Sequence, residues 1–527
     1  MKRKVKILTK IICFCLVFAV LLSCVNSLFK PKWLEDRWQS SKTDVSFYDL
    51  DKNSTDVLFF GSSVTAAAVD PFLLYKEYGI ASYNLGVISQ TMSGSFFWVK
   101  EALKTQKPKV IFVEVKTLGR QSDKLETKAR KSYDYMKPGI NKFQYAVETV
   151  NSGRDLVGTD EEMDIWEYLF PLSLYHTRWS ELSYDDYDFA LENNKSDTKG
   201  FAVLSNTFKY VSSYDPASDE AGDYDGFEDK EVEYSQYNGT NKAYVKRIAE
   251  VAKENNVELV LFKTPDTTWS VKKYNYVKDI AQEAGVKYID LNLKSIREKM
   301  GLEFSEDGAD SIHMNVNGAK KVTSYLGQYL TDHYELTNYK EGSSPIKGDF
   351  QSGMDKYNDY IKTAKLCMEN NLDNYLKLIK DKNYSVILTA GSQSSKLYFS
   401  ENQKKLLKEL NIDIDAFLKD SEYGNNLAYV SDTLETKGQP VNVSNEEDRY
   451  ATQVINEGGQ FSDGTSFTMN ITGGLCSVRV DNNNCGDVYG ELMNIVVYNK
   501  KTKKVIDTVS LRNNSYGSVS IGRKGKG

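Results

Sequence analysis

The sequence predicts an α/β domain built on a parallel sheet, preceded by an apolar helix and followed by a smaller β-rich α+β domain. Three observations carry this. Between residues 50 and 335, short unbroken apolar runs alternate with amphipathic stretches. That rhythm means parallel strands covered by helices on both faces, a three-layer arrangement. Beyond residue 383 the pattern changes to alternating strands and polar turns, and residues 11–29 carry no charge.

The N-terminus comes first. Residues 1–10 (MKRKVKILTK) hold five positive charges, and Ile11 to Phe29 (IICFCLVFAVLLSCVNSLF) follows as nineteen uncharged residues. About 20 apolar residues span the hydrocarbon core of a bilayer. The basic flank favours a cytoplasmic N-terminus, which puts everything after Lys30 on the far side. A cleaved signal peptide and a lipoprotein built on Leu21-Leu22-Ser23-Cys24 are the competing readings. No small-x-small cleavage site supports the signal peptide. As an anchored protein or a lipoprotein the chain is tethered and faces outward, so the expected location is the cell membrane with the bulk of the chain outside the cytoplasm.

Val57 to Phe60 is the first expected strand, and it ends at Gly61-Ser62-Ser63. A helix around Pro71 to Tyr78 leads to a second strand, Ala81 to Leu85, ending at Gly86. Val110 to Val113 makes a third. Residues 120–235, rich in Asp, Tyr, Ser and Gly, interrupt the pattern as an insertion expected over the mouth of the sheet. Alternation resumes with a helix over 240–255, a strand Glu258 to Phe262, a helix over 271–284 and a strand over 286–292. A last helix starts near Asn317. Residues 336–382 read as linker and helix, and 383–527 as the β-rich domain, with a hairpin turning around Asn499 to Lys503.

Composition narrows the function. A net charge of −6 over 527 residues argues against a nucleic-acid binder. Only three histidines occur, His176, His313 and His333, so any histidine base is one of them. Three cysteines lie in the apolar segment; of the rest, Cys476 and Cys485 could bridge a hairpin. No CxxC or HExxH spacing suggests a metal, and no cofactor motif is present.

Two sites carry chemistry. Ser63 follows the first strand at a tight turn, where helix N–H groups can hold an oxyanion formed when its hydroxyl attacks a carbonyl. The competing reading is a Gly-Ser turn capping a helix. Asp310-Ser311-Ile312-His313 precedes the last helix, and an aspartate three residues ahead can orient the ring of a base. Lys263, with Trp269 nearby, lies at the carboxyl end of a strand where it could line a pocket. In the insertion, Arg178 could bind an anionic polymer or headgroup and Trp179 could stack on sugar.

Together these residues resemble the SGNH (GDSL-like) hydrolase superfamily, whose domain is flavodoxin-like. Gly61-Ser62-Ser63-Val64 matches its first block, with Ser62 in place of the usual aspartate and Ser63 at the nucleophile position. Tyr83-Asn84-Leu85-Gly86 matches the second, which implies that the Gly86 N–H serves the oxyanion hole beside Asn84 and Ser62. Asp310 and His313 match the last block. The third block's asparagine is missing: the strand runs into Glu114-Val115-Lys116-Thr117-Leu118. The resemblance implies an esterase or O-acyltransferase acting on cell-surface glycan, beside a multi-spanning acyltransferase in some branches. A catalytically weak glycan-binding or scaffold protein is the alternative. The C-terminal region faintly resembles an interleukin-like (ILEI/PANDER) module, which implies sugar binding.

Overall fold

The computed structural model describes residues 2–34, 38–119, 125–154, 164–191, 194–208, 239–390, 397–410, 412, 414–415, 427–432, 439–441, 455–472, 475–489, 493–515 and 517–523. The second half of the insertion, 209–238, and several C-terminal connections lie outside them. The chain divides into two units, residues 1–361 and 362–527.

The first unit opens with α1 (Lys2–Phe29) and α2 (Ser40–Phe47). Then follow β1 (Val57–Gly61), α3 (Ser63–Ala68), α4 (Pro71–Tyr78), β2 (Ser82–Gly86), α5 (Met92–Ala102) and β3 (Val110–Glu114). The insertion supplies α6 (Leu125–Tyr133), α7 (Ile140–Arg154), α8 (Ile165–Leu169), α9 (Leu172–Tyr175) and α10 (Tyr184–Leu191). The alternation returns with α11 (Gly239–Glu254), β4 (Glu258–Lys263), α12 (Val271–Ala284) and β5 (Lys287–Asp290). Helices α13 (Lys294–Met300), α14 (Phe304–Asp307), α15 (Val316–His333) and α16 (Pro345–Met368) close the series.

The five strands pair in parallel in the order β2-β1-β3-β4-β5, the flavodoxin-like order, in which ligands bind beyond the strand carboxyl ends where the order reverses. That reversal lies between β1 and β3. Because strand side chains alternate, the sheet buries two faces. Leu58, Phe60, Ile111, Val113, Leu259 and Leu261 meet α5, α11 and α12 on one side. On the other, Phe59 stacks on Phe112, which meets Phe262 and Tyr329 of α15 edge-on. Continuous burial explains why the strands read as unbroken apolar runs.

The polar stretch after residue 335, expected to be a linker, becomes helical at Pro345. In α16, Phe350 stacks on Tyr75 and Tyr357 on Phe72, so its first half belongs to the first unit's core. Tyr357 donates to Asp70 at 2.6 Å, while Asp70 caps α4 by accepting from the Leu73 N–H at 3.1 Å.

In the second unit, β6 (Tyr384–Ala390), β7 (Leu427–Ser431), β8 (Gln439–Val441), β13 (Met493–Asn499), β14 (Lys504–Asn513) and β15 (Val519–Gly522) form a six-stranded sheet. β9 (Ile455–Gln460), β10 (Ser466–Thr472), β11 (Leu475–Val480) and β12 (Asn483–Tyr489) form an antiparallel four-stranded one. Helices α17 (Leu372–Ile379) and α18 (Glu401–Glu409) pack on one face of the six-stranded sheet, through Leu376 and Leu407 against Leu388 and Ile495. Its other face, with Ile387 and Val496, meets Phe467, Met469 and Val478 of the smaller sheet. The hairpin turns between Asn499 and Lys504, where expected. Cys485 is a free thiol, and Cys476 pairs with Val488 in the β11–β12 register, so the suggested bridge does not form.

Burial pushes the Asp70 carboxyl up to about 6, against the bonds from Tyr357 and Leu73. A raised folded-state value means that its contribution is complete below the unfolded value of about 3.9 and declines as pH rises to the folded one. Asp70→Asn keeps the cap and should flatten that decline. Thermal melting of the full chain in detergent should show wild type losing stability between pH 4 and 6 relative to the variant, by on the order of 2 kcal/mol.

Candidate active site

The first piece of the site is the turn after β1. Gly61 has φ of +153°, and a Cβ there would lie 2.2 Å from Thr65 Oγ1 and 2.7 Å from Glu114 Cβ. Only glycine lets the chain pass between β3 and the first turn of α3. Ser62 then caps α3 in extended backbone, with no side-chain capping bond, and Ser63 is the helix's first residue, half-buried. The N–H groups of Ser63 and Val64 precede the first intrahelical bonds, which Thr65 and Ala66 make to Ser62 O.

The second piece is the loop entering α15. Asp310 Oδ1 accepts the N–H groups of Ile312 and His313, each at 2.9 Å, which bends 310–313 into a tight turn. The Ala309 N–H donates to His313 O at 2.8 Å. Thr267, in the loop after β4, donates through its backbone N–H and its hydroxyl to Ser311 O, at 2.9 and 2.8 Å. Asn315 caps α15 and ties back through Nδ2 to Glu306 O at 2.7 Å. The histidine loop is therefore anchored on three sides.

These pieces meet. His313 Nδ1 lies 2.8 Å from Asp310 Oδ2, and His313 Nε2 lies 2.8 Å from Ser63 Oγ. With the ring proton on Nδ1 directed at the carboxylate, Nε2 is left to accept the Ser63 hydroxyl proton. Burial tends to raise the Asp310 carboxyl, but the His313 ring and the two N–H groups hold it below its ordinary range. It therefore stays ionised, and able to orient the ring, well into acid. The His313 side chain is only 12 % exposed, because Trp38 packs on it with ring centroids 4.9 Å apart. Trp38 lies between α1 and α2, and nothing in its local sequence marks it as part of this site.

Four assignments from the sequence change. The Gly86 N–H donates to Asn84 Oδ1 at 2.9 Å, so it does not face the Ser63 hydroxyl as an oxyanion donor. Asn84 is itself buried, its Nδ2 donating to Thr65 O and Val69 O at 2.9 and 2.8 Å; it stitches β2 to α3 and does not meet substrate. Further along the same loop, Ser89 holds a left-handed backbone at φ 58°. Strained non-glycine backbone of this kind gathers at functional sites. The Ile88 and Gln90 N–H groups beside it donate to Ser40 Oγ and Val87 O.

Lys263 is drawn into an ion cluster under the sheet edge. It is fully buried, with Nζ 3.1 Å from Glu114 Oε1 and 3.4 Å from Asp266 Oδ2. Lys116 pairs with the same Asp266 at 2.5 Å. Asp290, at the end of β5, accepts from Trp269 Nε1 and the Tyr288 hydroxyl. Two lysines and three carboxylates thus sit together under the carboxyl ends of β3, β4 and β5. Burial alone would raise Asp266, but Lys263 and Lys116 hold it far below the usual carboxylate range.

Arg178 donates to Phe29 O at 2.6 Å and to Asp186 at 3.2 Å, holding the exit of α1; it is committed to that support. Trp179 beside it is 72 % exposed. Among the described residues, no hydrogen bond or ring contact joins either to Ser63 or His313. Of the insertion, the 194–208 stretch does approach the site: Ala202 N–H donates to Ala66 O, Leu204 O accepts from Val316, and Phe208 N–H donates to Gly308 O. His333 ends α15 and stacks on Tyr329, away from the chemistry.

No protein-family model and no curated protein matches the chain. Among solved structures it is similar to a protein described as an acylhydrolase from Bacteroides fragilis, with 11 % identity over 54 % of this chain and 92 % of that one, at a TM-score of 0.26. A GDSL-like lipase from Bacteroides thetaiotaomicron shows 9 % identity over 54 % and 94 %, at 0.25. A catalytic mutant of an acetylxylan esterase from Geobacillus stearothermophilus shows 14 % identity over 54 % and 96 %, also at 0.25.

Lys263→Met should expose the structural role of the buried cluster. Removing one partner of a buried ion pair costs about 3–5 kcal/mol, so melting of the variant should fall sharply. Unchanged melting with weakened substrate binding would return Lys263 to the pocket.

Proposed function

We propose that this chain is a membrane-anchored, extracytoplasmic serine esterase or O-acyltransferase of the SGNH type that acts on O-acylated cell-surface glycan. The observation that supports this most is the unbroken relay Asp310–His313–Ser63, two contacts of 2.8 Å, at the carboxyl edge of a parallel sheet. In this reading His313 Nε2 takes the Ser63 proton as Oγ attacks the ester carbonyl, and the N–H groups at the start of α3 receive the developing oxyanion. As the tetrahedral adduct collapses, His313 returns the proton to the departing alcohol and leaves an acyl-Ser63 ester. Water, or a sugar hydroxyl deprotonated by the same nitrogen, then attacks the acyl carbon and frees Ser63. General-base help of this kind contributes about 100- to 10,000-fold. The apolar α1, exposed from Val5 through Val25, supports the anchor. The glycan assignment rests on the residue resemblance, as does sugar binding by the second unit.

One observation favours the second reading, a weakly active or inactive glycan-binding scaffold. The Gly86 amide is taken by Asn84, and the strand leading to Lys116 supplies no asparagine. Removing one oxyanion donor costs about 100- to 1000-fold in rate.

Two measurements separate these. Fluorophosphonate should label the full chain at Ser63. Ser63→Ala should abolish labelling, and His313→Ala should slow it about 100- to 10,000-fold. An unlabelled parent leaves the scaffold. Acetylated glycan should be turned over in preference to lipid esters, and the reverse preference would remove the glycan assignment.

A further inference from the structure

A cavity of about 530 Å³ opens where α1 meets the insertion. Ser23, Asn26 and Ser27 of α1 line one side of it, and Lys30, Lys137 and Lys142 contribute to the rest. Its cations are unusually placed. Lys30 Nζ donates to Asp134 O at 3.2 Å, and Lys142 Nζ donates to the same carbonyl at 3.1 Å and to Met136 O at 2.8 Å. Two ammonium groups thus share one neutral acceptor. Among the described residues neither has a carboxylate within ion-pair distance. The Asp134 carboxyl accepts from the Tyr175 hydroxyl at 2.7 Å and faces Arg130 at 3.8 Å. Burial and the neighbouring Lys30 push the Lys142 ammonium down to about 7, against the pull of Asp134. A bound anion would relieve both the desolvation and the repulsion.

Position supplies the ligand. Helix α1 is exposed from Val5 to Val25 and half-covered from Asn26 onward. At about 1.5 Å per residue, its 25-residue apolar span is longer than a hydrocarbon core of about 30 Å. Its last turns, the ones lining the cavity, therefore lie at headgroup depth. Elements α9, α10 and the 176–180 turn pack directly against α1. Around them the insertion displays Ile140, Phe143, Trp166, Phe170 and Trp179 to the outside. Tryptophan and other aromatic residues so placed favour the membrane–water interface.

We propose that this cavity binds the phosphate headgroup of an anionic phospholipid from the leaflet out of which α1 emerges, with Lys30 and Lys142 as donors and the aromatic rim seated in the interface. The inference rests on α1 being a membrane anchor, and it is independent of the chemistry at Ser63. The site would hold the first unit at a set distance from the bilayer.

The test uses the full chain in neutral detergent, with dioleoylphosphatidylglycerol, dioleoylphosphatidylcholine and inorganic phosphate as probes. Native mass spectrometry should retain phosphatidylglycerol over the other two, and melting should rise with phosphatidylglycerol alone. Lys142→Gln and Lys30→Gln should each weaken retention roughly tenfold or more, the loss of one charge-assisted bond. Lys142→Arg should preserve it, and an unchanged circular dichroism spectrum without lipid shows that the variants are folded. Equal retention of the two lipids, phosphate binding as tight as lipid, or glutamine variants that bind like the parent would each overturn the site. Alkaline extraction of membranes checks the anchor separately. Release of the chain overturns both readings, while retention without lipid preference overturns only the cavity.

Discussion

The close approach at Gly61 is the constraint on which the rest of the first unit turns. The β1 strand, the first turn of α3 and the end of β3 converge there so tightly that no side chain fits. This packing aims the first residue of α3 beyond the sheet edge, which is where Ser63 must stand to meet a group arriving from another element. Gly86 shows the same crowding from the neighbouring strand, since a Cβ there would lie 2.5 Å from Ala66 N. Asn84 then secures α3 to β2 with bonds to two of its carbonyls. The position of Ser63 is thus set by backbone packing before its contact with His313 is made.

The opposite side of the site is held by charge. Lys116, Lys263, Glu114, Asp266 and Asp290 gather at the ends of β3, β4 and β5, away from water. A buried group of this kind adds little net stability but strongly disfavours arrangements that separate its members. Asp266 opens the loop that carries Thr267, and Thr267 grips Ser311 inside the histidine turn. The charged cluster and the His313 loop are therefore mechanically connected. A turn that is 53 % exposed at the Asp310 side chain can still present a well-defined ring.

The side of the unit next to α1 obeys a third rule. Lys32, Arg178 and Asp186 close around the end of α1, with Lys32 donating to the carbonyls of Ser27, Leu28 and Lys30. Cations at a helix C-terminus satisfy its orphan carbonyls and its dipole. The helix is in this way fastened to the insertion. The chain that leaves it passes Trp38 over His313 before entering α2, so the segment closest to the apolar helix also forms a wall of the candidate site.

How much of this was legible depends on the range of the physics involved. Five apolar runs and one charge-free segment are local signals, and each appears in the structure as a strand or a helix. Ser63, Asp310 and His313 were also legible, because a turn after a strand and an Asp-x-x-His before a helix are local arrangements whose residue types are demanded by their chemistry. What only the tertiary structure decided is where polar groups find partners. Nothing within a few residues of Lys263 shows that Glu114 neutralises it. The loss of the Gly86 amide depends on how the Asn84 side chain lies against α3. Trp38 reaches His313, and Lys30 meets Lys142, across more than a hundred residues of chain. Strand order and helix packing set those distances, and burial then fixes which contact each polar group must make. The sequence by itself therefore determined the elements and the three residues that meet at the sheet edge, while the surroundings that tune them were decided by the fold.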